Sequence, residues 1–327
     1  MNLATIGTSW ITEDFVKSAR QSGKLTLYAV YSRSANKAEQ LAKKYNAPQS
    51  YTDLKQIADN EEIDVVYIAS PNSLHYEQAV LMLQHKKHVI CEKPIFSNTK
   101  EYEQAYQIAQ ENGVYLFEAI RNIHTPNFQV LQQQLSQIGQ VRSTILHYIQ
   151  YSSRYDLYLQ GEEPNVFSSR FSAGVLVDLG VYPIYIAVAL FGEPERVSYH
   201  PLMLRTGVDG SGTLVLHYAD FHCTIVFSKM SQAFISCEIH GEQGTLQFNH
   251  VNPITEVSLI DSRSHERTSL TAQQDELDMV YEIDNIVNVI ETKDDETYKK
   301  LKQLSYIVLS ITETARKQNN IVFETET

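Results

Sequence analysis

The sequence predicts an α/β protein. A doubly wound parallel sheet occupies residues 1–120, and an α+β domain with a large open, mainly antiparallel sheet occupies residues 121–327. Three observations predict it. The first third alternates short β-branched runs with helical stretches, as βαβ units with right-handed crossovers do. After Arg121 the texture changes to alternating, aromatic-rich strand patterns separated by turn signals. At 327 residues the chain is long enough for two cores rather than one.

In the first domain, strands are expected at 3–6, 25–31, 65–69, 88–91 and 114–117, with helices at 13–21, 36–45, 73–84 and 99–112. Thr12, Ser34, Asn72 or Ser73, and Asn98 stand where helix caps belong. In the second domain, strands are expected at 144–148, 197–199, 212–218, 222–228, 233–240, 245–248 and 257–260, read as one antiparallel sheet. Asp209-Gly210, Tyr218-Ala219-Asp220 and Gly241-Glu242-Gln243-Gly244 supply turns between them. Helices at 274–291 and 296–318 close the chain.

Composition narrows the function. A formal net charge of −12 argues against nucleic acid or an anionic membrane as partner, since both require a basic face. No stretch approaches the roughly 18 apolar residues of a membrane span, and no leader pattern precedes the first strand. Cys91, Cys223 and Cys237 lack close pairing or metal-ligand spacing. They read as buried free thiols in a reducing cytoplasm, with no metal site.

The chemistry-bearing residues cluster at strand ends. Gly7-Thr8-Ser9-Trp10-Ile11-Thr12 follows the first strand and opens the first helix, the context of a Rossmann dinucleotide loop. Ser9 replaces the usual second glycine and Thr12 the third small residue; a serine hydroxyl still bonds phosphate. The second strand ends in Ser32 and Arg33, with Lys37 a helical turn on. A carboxylate here would favour the ribose hydroxyl of NAD, whereas an arginine fork suits the 2′-phosphate of NADP. NADP is therefore expected over NAD. Ser70, Pro71, Asn72 and His75 follow the strand ending at Ala69 and are expected to line the cofactor cleft. The apolar run His88-Val89-Ile90-Cys91 leads into Glu92-Lys93-Pro94. Proline cannot continue a central ladder, so the chain turns there and leaves Lys93 at the ligand edge of the sheet, with Glu92 behind it near the nicotinamide end.

In this order and spacing, the Gly7 loop, Ser32-Arg33, Pro71-Asn72-Ser73-Leu74-His75, Glu92-Lys93-Pro94 and Glu118-Ala119 resemble the Gfo/Idh/MocA oxidoreductases over nearly the whole chain. In the second half, Asp178-Leu179-Gly180-Val181-Tyr182 carries tyrosine where much of that family has histidine. Tyr182 resembles the branch of dimeric dihydrodiol dehydrogenases and NADP-dependent D-xylose or glucose 1-dehydrogenases. The resemblance implies hydride transfer between NADP and a sugar, polyol or trans-dihydrodiol, and a homodimer or dimer of dimers through the open sheet. Some relatives use the scaffold for regulation, so a non-catalytic dinucleotide sensor is the alternative.

The residues themselves support the catalytic reading. A tyrosine titrates near pH 10 in isolation, and a neighbouring ammonium favours the phenolate. Lys93 is the candidate cation, Tyr182 the acid/base, and Asp178 the group that orients substrate or lysine. If a helix starts near Asp178, the two lie on one face, and Pro183 is tolerated in its first turn. Arg121, His124, Arg154, Tyr155 and Asn165 are expected to contact substrate. Leu214, Leu216 and Ile225 are expected on the sheet face that forms the homodimer.

Overall fold

A computed structural model describes residues 1–327. The chain forms two compact units: Met1–Ile120 with Asp275–Gln303, and Arg121–Gln274 with Leu304–Thr327.

The first unit contains β1 (Asn2–Ile6), α1 (Trp10–Ser22), β2 (Thr26–Tyr31), α2 (Ala35–Tyr45), β3 (Gln49–Tyr51), α3 (Leu54–Ala58), β4 (Val65–Ile68), α4 (His75–Gln84), β5 (His88–Glu92), α5 (Thr99–Asn112) and β6 (Leu116–Ala119). The six strands pair in parallel in the order β3-β2-β1-β4-β5-β6. The order reverses between β1 and β4, where such sheets bind ligands at the carboxyl ends of their strands. β3 and α3, at three and five residues, are too short to announce themselves in the sequence. Asn98 caps α5 by accepting from the Glu101 amide at 2.9 Å, as expected; Ser34 precedes α2 without a side-chain cap bond.

The second domain needs one correction as a continuous block of 121–327, because residues 275–303 return to the first unit. The cause is an apolar helix face that requires cover. Ile283, Ile286, Val287 and Ile290 belong to the same buried core as Phe15, Val16 and Ala19 of α1. Burial of each large aliphatic side chain contributes about 1.5–3 kcal/mol.

The second unit contains α6 (Pro126–Gln134), β7 (Val141–Ile149), α7 (Ser153–Leu159), α8 (Val181–Phe191), β8 (Arg196–Met203), β9 (Asp209–His217), β10 (His222–Ser228), β11 (Cys237–Gly241), β12 (Gly244–Phe248), β13 (Val257–Asp261) and β14 (Arg267–Ser269). α9 (Met279–Thr292) belongs to the first unit, and α10 (Asp295–Lys317) is divided between the two at Gln303. The sheet order is β14-β13-β12-β11-β7-β10-β9-β8. It is not wholly antiparallel: β7 and β10 pair in parallel, His222 opposite Ser143. Pairing between strands distant in sequence leaves no local mark.

Three further expectations change. Leu214, Leu216 and Ile225 are fully buried, so they face the core, and the opposite face carries Thr213, Val215, Thr224 and Val226, all half-buried. Alternation identifies two faces without saying which is interior. Residues Ser169–Phe191 are long and apolar enough for a membrane span, contrary to the expectation of none, but 78% of the most apolar stretch is buried inside the protein. It is a core segment. Finally, the helix does not begin at Asp178. A π-helical turn, Leu176–Gly180, runs directly into α8, so Pro183 follows a widened turn rather than a helix start. Such turns interrupt the regular backbone ladder, in which proline cannot donate. The three cysteines are buried free thiols, as expected.

Candidate active site

Each unit presents its own set of site residues. In the first, Gly7 links β1 to α1 at φ 118°, and a Cβ there would lie 2.5 Å from the Ala69 carbonyl oxygen. Only glycine fits this turn. The Gly7 amide donates to the Tyr31 carbonyl at 3.1 Å, and the Ala69 amide to the Ile6 carbonyl at 2.8 Å. The ends of β1, β2 and β4 are thereby held in register. Ser9 precedes α1 in an extended conformation without a side-chain cap bond; its hydroxyl lies 3.4 Å from that of Thr12, which is buried. The first turn of this 13-residue helix thus has no side-chain cap on its amides, an arrangement that fits a pyrophosphate. Thr8 and Ile11 are half-buried beside it, and Trp10 is exposed. Arg33 and Lys37 are exposed past the end of β2, and the Ser32 hydroxyl accepts the Ser34 amide.

The turn after β5 is braced from three sides. His75 Nδ1 lies 3.0 Å from the Pro94 carbonyl, Glu118 Oε1 accepts the Ile95 amide at 3.0 Å, and Cys91 Sγ reaches the Ile95 carbonyl at 3.6 Å. The Lys93–Pro94 peptide is cis. Glu92 turns inward to accept the Tyr67 hydroxyl at 2.5 Å, and Tyr67 stacks on Phe15 with centroids 3.7 Å apart.

His75 therefore needs correction as a cofactor contact. It is fully buried, and its Nε2 lies 2.9 Å from the Ser70 carbonyl. Burial lowers its pKa. The ring ties the loop after β4 to the Lys93 turn. Ser70 itself donates its hydroxyl to Gln78 at 2.7 Å, while Pro71 and Asn72 lead into α4 through a 3₁₀ turn.

In the second unit, the π-helical turn is anchored at both ends. Asp209 accepts the Leu176 amide at 2.8 Å and the Tyr199 hydroxyl at 2.5 Å. Burial raises the Asp209 pKa, and these bonds oppose the rise. Gly180 lies against Phe227 of β10, where an added Cβ would come within 3.0 Å of the ring. Asp178 forms an ion pair with Lys229, 2.5 Å apart, one residue past β10. Lys229 was not anticipated, since nothing local marks a lysine as the partner of a distant aspartate. The expected role for Asp178 in orienting substrate or Lys93 is thus joined by an observed one. Tyr182 is 8% exposed and meets the Tyr148 ring edge-on, with centroids 5.6 Å apart. Its carbonyl accepts from Asn122 Nδ2 at 3.2 Å, and Asn122 also reaches the Val251 carbonyl at 3.0 Å.

The expected substrate residues separate by exposure. Arg121 Nε donates to Asn252 at 3.2 Å. Arg154 and Asn165 are exposed, and Tyr155 stacks on Tyr158 with centroids 5.7 Å apart. His124 needs correction: it is 8% exposed, and burial lowers its pKa to about 4. It is a neutral core histidine.

Residues 1–120 match the Gfo/Idh/MocA oxidoreductase family model with its NAD-binding Rossmann fold, and residues 130–247 match the family's C-terminal domain model. The chain belongs to the Gfo/Idh/MocA oxidoreductases. It is 42% identical to the scyllo-inositol 2-dehydrogenase (NADP(+)) IolU of Bacillus subtilis, over 99% of this chain and 98% of that one. It is 29% identical to mouse trans-1,2-dihydrobenzene-1,2-diol dehydrogenase, over 77% of this chain and 75% of that one. Among solved structures, KijD10, a 3-ketoreductase from Actinomadura kijaniata in complex with NADP and TDP-benzene, shares the fold with a TM-score of 0.87 at 21% identity, covering 97% of each chain. The chain is thus an NAD(P)-binding oxidoreductase of this family.

Proposed function

We propose that this chain is an NADP-dependent dehydrogenase or reductase acting on a CH–OH carbon of a sugar, polyol or trans-dihydrodiol. Tyr182 is the acid/base and Lys93 its assisting cation. The bracing of the Lys93 turn carries the reading, because three polar contacts converge on a turn whose only chemistry-bearing side chain is the lysine. The resemblance to an NADP-linked inositol dehydrogenase over 99% of the chain supports the substrate class.

The cofactor, when bound, supplies the hydride acceptor or donor. The Gly7–Ile11 segment and the start of α1 hold its pyrophosphate. Arg33 and Lys37 hold its 2′-phosphate, and Ser70, Pro71 and Asn72 line its path. In alcohol oxidation, the Tyr182 oxygen takes the hydroxyl proton; in carbonyl reduction it returns one. Lys93 favours the phenolate and hydrogen-bonds the reacting oxygen. Asp178, which pairs with Lys229, orients the substrate or the lysine. Arg121, Arg154, Tyr155 and Asn165 contact the substrate. Glu92 supports the lysine from behind.

Cofactor choice tests the nucleotide half. Arg33→Ala is expected to weaken NADP binding roughly 10- to 100-fold, the worth of charge-assisted hydrogen bonds, with NAD binding unchanged. Equal wild-type affinity for the two cofactors, or an equal loss for both in the variant, overturns NADP preference. Turnover is read from NADPH absorbance with aldose and polyol panels. Cofactor binding without turnover on any of them supports a dinucleotide sensor instead.

The outward face of the eight-stranded sheet carries Ile145, 45% exposed, with Val215 and Val226 among threonines. We assign it to a homodimer, or a dimer of dimers, with sheets face to face. Light scattering at micromolar concentration is expected to give at least twice the monomer mass; a monomer refutes the assignment. The buried thiols agree with a reducing cytoplasm.

A further inference from the structure

The ion pair between Asp178 and Lys229 lies wholly within the second unit. Alternation along β10 places Ile225, Phe227 and Lys229 on one face. Ile225 and Phe227 are fully buried, and Phe227 lies against Gly180 of the π-helical turn. Lys229 thus continues a core-facing row, with only 12% of its side chain exposed. Its backbone is fixed as well. The Lys229 amide donates to the Gly210 carbonyl, and its carbonyl accepts the Ser152 amide, both at 3.0 Å.

Stability does not explain a lysine in this row. Drawing an ammonium and a carboxylate out of water offsets most of what their attraction contributes, and apolar residues of similar volume often do as well or better. What the pair supplies instead is a carboxylate of fixed charge and place. Asp178 precedes Tyr182 by four residues, in a π-helical turn, a device frequent at functional sites. The neighbouring elements bring other titratable groups to this turn. β9 brings Asp209, which accepts the Leu176 amide; β7 and α8 bring Tyr148 and Tyr182, packed edge-on. Lys229 is the one cation among them. A second carboxylate disfavours an ionised Asp178, whereas an ammonium 2.5 Å from its Oδ2 favours it.

We propose that Lys229 is a positioning residue for the reaction: its ammonium keeps Asp178 ionised and in place to accept a substrate hydroxyl, which leaves Lys93 to assist Tyr182. The role in turnover rests on the dehydrogenase reading; the hold on Asp178 does not.

Two measurements on the full-length chain test it. Carbon-13 NMR of aspartate-labelled protein, assigned with Asp178→Asn, follows the Asp178 carboxyl through pH. In Lys229→Met its titration is expected to move up by about one pH unit or more, as when a carboxylate loses an adjacent cation. In the wild type, the ¹⁵N shift of Lys229 Nζ is expected to respond at the pH where Asp178 protonates, a readout that needs no variant to fold. The second measurement is steady-state turnover with NADP and scyllo-inositol, myo-inositol, D-glucose or D-xylose. Lys229→Met is expected to lower kcat/KM roughly 10- to 100-fold, the worth of a hydrogen bond to a charged group. The acid limb of its pH profile should move up with the carboxyl titration, and NADP affinity should stay at the wild-type level. Lys229→Arg, which keeps a cation, is expected to recover most of the loss and to restore the limb. An Asp178 titration that leaves the Nζ shift unmoved overturns the proposal. So does a kcat/KM within about three-fold of wild type in Lys229→Met, which leaves the pair as a latch on the π-helical turn. An equal loss in both variants with an unmoved acid limb overturns it too. Coupled titration in a wild-type protein that turns over none of these compounds rejects the dehydrogenase reading and keeps Lys229 as the group that fixes Asp178.

Discussion

Tyr182→Phe is expected to lower turnover by about 10²- to 10⁴-fold, the usual worth of a positioned acid/base, while NADP affinity stays at the wild-type level. The substitution removes one oxygen from a side chain that is 8% exposed. The edge-on packing against Tyr148 needs only the ring, and the bond from Asn122 uses the backbone carbonyl. The fold should therefore persist, and the loss reports chemistry. Lys93→Met is the companion. It keeps much of the aliphatic stem and removes the charge, on a turn also held by His75, Glu118 and Cys91. A loss of about 10²-fold or more is expected. The double variant should lose much less than the product of the single losses, since groups that act as a unit are not additive. Stopped-flow NADPH absorbance with cofactor bound checks all three; near-wild-type turnover in either single variant rejects the pair.

The site residues that were legible are those whose residue type is itself the physical device. Gly7 is required by a φ of 118° beside a carbonyl, and Pro94 ends a strand because it lacks a donor. Thr125-Pro126 was equally readable as a helix start: Thr125 accepts the Phe128 amide at 3.4 Å and proline occupies the first turn of α6. That signal went unused. What was not legible is burial. His75 and His124 have the right type for ligand contacts, yet both lie in the interior and stay neutral. Lys229 and Asn122 escaped notice for the opposite reason: their importance comes from Asp178 and Tyr182, to which no local pattern connects them.

The fold shows the same division. The parallel sheet is written in local alternation, so five of its six strands fall within two residues of expectation and only the short β3 is missed. The second sheet depends on which distant strands pair, and the parallel β7–β10 contact lies outside any local pattern. The return of α9 to the first unit is a matter of which apolar faces cover one another. A continuous reading of residues 121–327 misses it because helix periodicity gives a face and no address.

The second large effect concerns stability, and it falls at the chain's end. Arg316→Met is expected to destabilise the second unit by about 3–5 kcal/mol, as breaking one side of a buried ion pair does. Arg316 is 1% exposed. Its guanidinium bonds both oxygens of Glu326, at 2.8 and 3.1 Å, donates to the Ile321 carbonyl at 3.0 Å, and lies 3.8 Å from the centre of the Phe323 ring. Glu326 also accepts the Phe323 amide at 2.9 Å, so one arginine folds the last ten residues back onto α10. Lysine cannot replace it, having neither the planar fork nor the stacking face. Urea melts of the wild type, Arg316→Met and Arg316→Met/Glu326→Leu check the argument. The single variant leaves the Glu326 carboxylate without its guanidinium and should show the full loss. The double variant exchanges the pair for apolar contact and should recover most of it, because a buried pair is dear to break but not to replace. A single-variant loss below about 1 kcal/mol, the range of exposed pairs, would mean that the tail is held by Phe323 and Ile321 packing alone.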